Sequence, residues 1–342
     1  MTGGGLAARP RIALATLPTP LQEAPRLRAA LGGAGRCPTI LIKRDDLTGL
    51  AFGGNKVRKL EFLVADALAQ GATRLITAGA VQSNHARMTA AAACVAGLAV
   101  TLVLTAPDGA PPVQGNLLLD RLLGAEVQLI PTGSDEAAAM ETLAATLRER
   151  GERPYVIPIG GSNAIGVFGY VAATLELVGQ LVAQGQAPRW LYYANGSRGT
   201  QAGLALGAKL FNASYGVRGV AVSGGDEAKR LRALQIANEA AELLGTTVRV
   251  TEADLPNDDG QIGLGYGIAT PECLEAIAPL ARHEAIFLDP VYSAKAMAGL
   301  IADIRAGVLD PDEPVVFLHT GGTPALFAHA ETLAASVAGA PA

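Results

Sequence analysis

The chain has 342 residues, 50% hydrophobic, 4% aromatic and 17% charged, with a net charge of -4. That length can bury one large core or two moderate ones, built mostly from Ala, Leu, Val and Ile. The weak negative charge gives no reason to expect nucleic acid or an anionic membrane surface as a partner.

The opening segment MTGGGLAARPRIALATLPTP is broken by prolines and has no continuous apolar run. It does not read as a signal peptide. Cys37, Cys94 and Cys273 are odd in number and scattered, with no CxxC pair. That argues against a disulfide framework or a zinc site and favours a reducing compartment, so a cytoplasmic protein is expected. Gly53-Gly54-Asn55-Lys56 then opens a helix. Val57, Leu60, Val64, Ala67 and Leu68 follow at helical spacing, and Gly71 closes it. Lys56 therefore stands in the first turn, directly behind two glycines. The positive end of the helix dipole, with Arg58 and Lys59 nearby, disfavours a further cation there. A lysine with a lowered pKa is what Schiff-base chemistry requires. Spacing alone nonetheless favours a solvated face for Lys56, Arg58 and Lys59.

Further along, strands are predicted at 74–77, 100–104, 127–130, 155–158, 190–194, 217–222, 247–250 and 315–318. Helices alternate with them at 84–96, 114–123, 134–150, 163–183, 200–210 and 226–244. Ser134 reads as an N-cap and Gly151 as a C-terminal stop. Residues 88–107 carry no charge and are long enough to cross a bilayer. Their Ala-rich start, the break at Gly97 and the β-branched run at 100–104 read better as a buried helix followed by a buried strand. Strict alternation implies parallel sheets covered on both faces.

Two strand-to-helix turns are candidate anion sites. Asn195-Gly196-Ser197-Arg198-Gly199-Thr200 has small residues that let N–H groups approach a phosphate at a helix start. An ordinary glycine-rich turn has the same look. Ser83-Asn84-His85 suits a carboxylate, although plain helix capping also explains Ser83 and Asn84. Tyr266 lies between Gly265 and Gly267, which favours a loop near a ligand, whereas an isolated Tyr292 reads as a packing residue. His85, His283, His319 and His329 lack HxH or HExxH spacing, so no metal site is expected.

Five blocks occur in one order. They are Ile42-Lys43-Arg44-Asp45-Asp46, the lysine segment AFGGNKVRKLEFLVADAL, Gly79-Ala80-Val81-Gln82-Ser83-Asn84-His85, Asp289-Pro290-Val291-Tyr292 and His319-Thr320-Gly321-Gly322. Together they resemble the D-cysteine desulfhydrase and 1-aminocyclopropane-1-carboxylate (ACC) deaminase family, pyridoxal-phosphate enzymes of the tryptophan-synthase-β type. The resemblance runs from about residue 17 to about residue 327. It implies an α/β fold of two open, mostly parallel twisted sheets covered by helices, with the active site between two domains. The larger would comprise 1–55 and 166–342, the smaller inserted one 56–165. It implies pyridoxal 5'-phosphate joined to Lys56. The phosphate would rest on Asn195, Gly196, Ser197, Arg198, Gly199 and Thr200, with Lys59 as a further contact. Asn84 would meet the ring oxygen, and the substrate carboxylate would dock on Ser83, Asn84 and His85. Ser83, Tyr266 and Tyr292 join Lys56 as catalytic candidates. A homodimer acting on a small amino acid is implied, with each site largely within one subunit.

The resemblance also narrows the substrate. Arg198 departs from the small residue expected at its position, and would either reach the phosphate or point to solvent. In the family, the residue at Thr320, or the one at Ser293, faces the ring nitrogen. ACC deaminases have leucine and an acid at these places, and glutamine at the position of His85. A hydroxyl cannot keep the nitrogen protonated as a carboxylate can, so the ring is a weaker electron sink. That suits β-elimination of a good leaving group better than opening a cyclopropane. The expected reaction converts D-cysteine to pyruvate, sulfide and ammonia. L-cysteate sulfo-lyase and then ACC deaminase are the alternatives. A binding protein without turnover is disfavoured by Lys56 together with the two tyrosines.

Overall fold

The computed structural model describes residues 5–107 and 110–338. The chain starts with β1 (Leu21–Glu23), α1 (Pro25–Ala30) and β2 (Ile40–Lys43). Next come α2 (Lys56–Ala69), β3 (Arg74–Ala80), α3 (Asn84–Ala96), β4 (Ala99–Ala106), α4 (Gly115–Leu122), β5 (Glu126–Pro131), α5 (Glu136–Glu149) and β6 (Pro154–Val156). The remainder is α6 (Ala164–Ala183), β7 (Trp190–Asn195), α7 (Gly199–Leu210), β8 (Gly216–Ala221), α8 (Asp226–Leu243), β9 (Asn257–Asp258), α9 (Pro271–Glu284), α10 (Ser293–Arg305), β10 (Val315–Leu318), α11 (Thr323–Ala328) and α12 (Ala330–Ala338).

Among the described residues these strands form two sheets, in the orders β1-β2-β10-β7-β8-β9 and β5-β4-β3-β6. All pairings are parallel except that of β1 with β2. Side-chain alternation explains why the strand sequences are apolar throughout. In the larger sheet Leu41, Leu191, Tyr193, Val316 and Leu318 face the core under α6, α7 and α8. Their neighbours Ile40, Ile42, Tyr192, Ala194, Val315 and Phe317 face the core under α1, α9 and α10. The smaller sheet repeats the pattern. Leu75, Val100, Leu102 and Leu104 pack toward α2 and α3, while Ile76, Ala78 and Val103 pack toward α5.

Two glycines bring the helices that carry the site unusually close. A methyl group on Gly169 of α6 would strike the Arg58 carbonyl of α2. One on Gly203 of α7 would strike Tyr170 of α6. α6 is thus wedged between α2 and α7, and the starts of those two helices are fixed relative to each other.

Residues 88–107 form the end of α3 followed by β4, as their composition suggests. α6 is itself long and apolar enough to cross a membrane, and 56% of its most apolar window lies inside the protein. The strand predicted at 247–250 does not form. Val250 is buried, but its N–H and C=O are taken by the Asn238 side chain, and the Val248 N–H by Thr246 Oγ1. Side chains satisfy this backbone, so it needs no ladder. β9 pairs with β8 instead. The N-cap of α5 is Asp135, one residue beyond Ser134, and its carboxylate accepts the Ala138 N–H at 3.0 Å.

Candidate active site

The loop before Lys56 turns through four consecutive positive φ angles. Ala51, Phe52, Gly53 and Gly54 have φ of 43°, 69°, 68° and 129°. Ala51 and Phe52 each cost about 1–3 kcal/mol in that region, so the surroundings must impose it. A methyl group on Gly53 would collide with the Asp46 carbonyl, and one on Gly321 would lie 2.7 Å from Gly54 Cα. Thr48 Oγ1 accepts the Gly54 N–H and donates to the Gly54 carbonyl. The Asn55 N–H donates to the Thr320 carbonyl at 3.0 Å. Three of the sequence blocks therefore meet backbone to backbone, and Lys56 starts α2 from their junction.

The three cations of the first turn of α2 meet different environments. Arg58 is clamped. Its Nε and Nη2 donate to the two Asp45 oxygens at 2.8 Å, and Nη1 and Nη2 donate to Glu176 at 3.0 and 2.9 Å. Tyr170 and Thr19 complete Asp45, and Lys43 pairs with Glu176. Lys59 is fully buried, and among the described residues its Nζ has one partner, the Gly160 carbonyl at 3.0 Å. Burial, then the neighbouring Lys56, pushes its pKa well down. Protein encloses Lys56 although part of its surface faces the cleft, and burial lowers its amine to about 8. The lowering expected at Lys56 is thus present, but its cause is burial, because Asp45 and Glu176 engage the charge of Arg58.

Lys59 points at the start of α7. A methyl group on Gly199 would lie 2.8 Å from Lys59 Nζ and 2.5 Å from Ser162 Oγ. One on Gly160 would strike Ser197 Oγ, which accepts from Ser162 Oγ at 2.9 Å. α7 has no side-chain cap, and its first residues lie at the carboxyl end of β7. A buried ammonium, two hydroxyls and an uncapped helix start converge where only glycine leaves room. That donor set fits a phosphate. Thr200 borders it and accepts from Asn55 Nδ2 at 3.3 Å. Arg198 takes up neither alternative cleanly. It is buried rather than in solvent, with Nη1 donating to Gln201 at 2.9 Å, and its own backbone turns left-handed at φ 59°. Asn195 turns its amide to Gln201 and Asn257, framing the loop from behind.

α3 begins at the carboxyl end of β3. Ser83 is its N-cap, accepting the Ala86 N–H at 3.2 Å, so capping is one of its roles. Among the described residues no group accepts the Asn84 or His85 N–H, which leaves both for an anion. Asn84 Oδ1 accepts from Asn116, which turns the Asn84 amide nitrogen the other way. The buried His85 ring packs against β3 of the small sheet. Thr77 donates to the Ile157 carbonyl, so its oxygen accepts from His85 Nε2 at 2.9 Å. Burial, then Lys56 and Lys59, outweighs the Pro158 carbonyl and holds His85 well below the ordinary histidine range, hence neutral. His85 offers a ligand its backbone.

Tyr266 and Tyr292 come together from different elements, with hydroxyls 2.5 Å apart and rings edge to face at 5.8 Å. Lys295 of α10 pins the Tyr266 loop by donating to the Ile262 and Gly265 carbonyls. Tyr292 Cε1 would be 3.7 Å from a methyl group on Gly196, beside the phosphate loop. Burial raises both hydroxyls, that of Tyr292 well above its ordinary 10.0. Ser293 is consumed. It donates to Asp289 Oδ1 at 2.6 Å and accepts the Asp289 N–H. Asp289 is consumed as well, by the N–H groups of Val291, Tyr292 and Ser293. Thr320 is left, its hydroxyl unbonded among the described residues.

The model of the pyridoxal-phosphate dependent enzyme family matches residues 12–321. The chain belongs to this family. The D-cysteine desulfhydrase of Salmonella choleraesuis (strain SC-B67) is 43% identical over 324 residues, covering 94% of this chain and 96% of its own. That of Salmonella typhi has the same identity and coverage. Among solved structures, an ACC deaminase homologue superposes with a TM-score of 0.87 at 39% identity, covering 97% of each chain. A fungal L-serine ammonia-lyase from Rhizomucor miehei shares the fold at 17% identity, with a TM-score of 0.66 and coverage of 94% and 98%. The phosphate cradle matches what a pyridoxal-phosphate-dependent enzyme must hold. The sequence reading passed over Gly160 and Ser162, the Asp45–Arg58–Glu176 clamp and Gln201. A glycine-rich turn at the end of β6 was the available signal for the first two. The others are joined only by the fold.

Proposed function

We propose that this pyridoxal-phosphate-dependent enzyme eliminates the β-thiol of D-cysteine, releasing pyruvate, sulfide and ammonia. The observation that carries the proposal is the choice of groups after β10 and before α10. Ser293 and Asp289 are bonded to each other, His319 to Phe287 and Gly321, and Tyr292 to Tyr266, so among the described residues of these two turns the Thr320 hydroxyl is the polar side chain left over. A neutral hydroxyl leaves the ring nitrogen without a stabilising charge, which suits a substrate whose leaving group departs readily. The names of the relatives agree with this choice.

Bound pyridoxal phosphate supplies an aldehyde that takes the substrate amine and a ring that withdraws electrons from Cα. The rest of the work belongs to this chain. Lys59, Ser162, Ser197 and the α7 start would hold the phosphate, and the Asn84 side-chain amide would meet the ring oxygen. The Asn84 and His85 N–H groups orient the substrate carboxylate. Lys56, with its amine at about 8, is basic and largely unprotonated in mildly alkaline solution, so it takes the Cα proton. The Ser83 hydroxyl lies at the same turn and relays protons. The Tyr266–Tyr292 pair keeps its protons and donates one to the departing sulfur.

L-cysteate is the second reading. Its sulfonate needs a cation, and Arg198, buried against Gln201, is poorly disposed to supply one. Ammonia release measured as kcat/KM for D-cysteine, L-cysteate and ACC tests the choice. D-cysteine is expected highest. ACC highest overturns the argument from Thr320, and L-cysteate highest establishes the second reading. We also propose a cytoplasmic homodimer divided into domains at 1–55 with 166–342, and 56–165. The free cysteines and the two separate sheets support this, and sedimentation tests the dimer.

A further inference from the structure

We propose that Arg87 is a positioning residue for Lys56, holding the left-handed loop that delivers its amine. Arg87 lies one turn into α3 and is fully buried. Its Nη1 donates to the Ala51 carbonyl, and its Nη2 donates to the Gly53 carbonyl at 3.1 Å. These two carbonyls bracket Phe52 within the run of four positive φ angles. Thr48 and the Thr320 carbonyl fix the far end of that run, at Gly54 and Asn55. Arg87 fixes the near end. A planar guanidinium can bridge carbonyls two residues apart, whereas a lysine ammonium cannot match that fork.

The electrostatics favour a purpose beyond packing. A buried guanidinium is tolerated only when paired or hydrogen-bonded. Asp120 of α4 is the carboxylate facing Arg87, is itself fully buried, and among the described residues makes no hydrogen bond with either oxygen. Burial pushes Asp120 up to about 7 against the pull of Arg87. The guanidinium spends its Nη donors on the loop and none on its counter-ion. Arg87 also shares α3 with the Ser83-Asn84-His85 turn, so one helix sets both the proposed carboxylate site and the lysine loop.

The inference rests on Lys56 being the lysine joined to the cofactor. Borohydride reduction and peptide mapping of the wild-type holoenzyme test that separately. The variant of choice is Arg87→Gln with Asp120→Asn, which leaves no uncompensated buried charge. Arg87→Lys accompanies it. In both, affinity of the apoprotein for pyridoxal phosphate and the fraction of Lys56 labelled on reduction should fall about tenfold or more. Adding Ala51→Gly and Phe52→Gly should restore part of each, because glycine holds a left-handed φ without a clamp. Wild-type affinity in both variants overturns the inference, and so does a loss that the glycines do not recover. A wild-type label on another lysine overturns the Lys56 assignment and the inference together. A label on Lys56 with unchanged variants overturns only the inference.

Discussion

Arg58 and Lys59 are adjacent on α2, both buried, and the fold treats them in opposite ways. Arg58 faces α6 and β2, where Asp45, Glu176, Thr19 and Tyr170 form a closed set of hydrogen bonds. Lys59 faces the start of α7, its partner among the described residues is the Gly160 carbonyl, and its pKa is pushed well down. A charge whose bonds are complete has nothing left to offer a ligand. A buried charge with two spare donors is costly until an anion arrives. The difference separates the side of α2 that holds the fold together from the side that binds.

The sharpest way to break this comparison is at the end of the binding side. Lys56→Met should lower ammonia release from D-cysteine by at least about 10²–10⁴-fold. Turnover near that of the wild type would remove Lys56 from the chemistry. Next comes the pair itself. Arg58→Met leaves Asp45 buried without its cation, and should cost about 3–5 kcal/mol in urea unfolding of the apoprotein. Lys59→Met should cost the apoprotein little and weaken pyridoxal phosphate about tenfold or more, since a charge-assisted phosphate contact is lost. If both variants lose stability alike, the two sides of α2 are not distinct.

The same contrast predicts two separate pH windows in apoprotein melting, one acid and one alkaline. Burial would raise Asp45, but Arg58, Lys43 and Tyr170 outweigh it and hold the carboxyl below its ordinary 3.8. Its contribution is therefore present above that value and lost as pH falls through the folded pKa. At Lys56 stability also rises with pH, but because burial penalises the charged amine rather than because a partner favours it. Between about 8 and its ordinary 10.5 the unfolded chain binds a proton that the folded chain does not, so stability rises with pH across that window. Arg58→Met should reduce the acid loss, and Lys56→Met should reduce the alkaline rise, to which the buried Lys59 and Lys43 also contribute. The smallest effect is expected at Thr320. Thr320→Ala should keep the cofactor and lose up to roughly tenfold in elimination rate, one neutral hydrogen bond. Loss of the cofactor instead would make Thr320 part of the loop scaffold.

Much of the architecture could be read in advance, since apolar periodicity and glycine stops are local signals. The helix starts at Asn84 and Lys56 and the strand 315–318 lie where the pattern puts them. β2 and β9 are only four and two residues long, too short for a periodic pattern to announce them. The extended stretch at 247–250 has a strand's composition but is completed by Asn238 of α8.

By itself the sequence determined which residue types stand at the strand ends: a lysine behind two glycines, a small-residue loop before α7, a serine and asparagine opening α3. It also determined that no acid follows Tyr292. Only the tertiary structure decided which of the cations at 56, 58 and 59 is paired. Pairing depends on Asp45 and Glu176, which lie 13 and 118 residues from Arg58 along the chain. It likewise decided that Ser293 turns to Asp289 while Thr320 does not, and that Arg87 reaches back to Ala51 and Gly53. Helix and strand form are encoded by neighbours three, four or two residues away. Burial and charge pairing are encoded by whatever the fold brings alongside, and burial lowers the pKa of Lys56 and of Lys59.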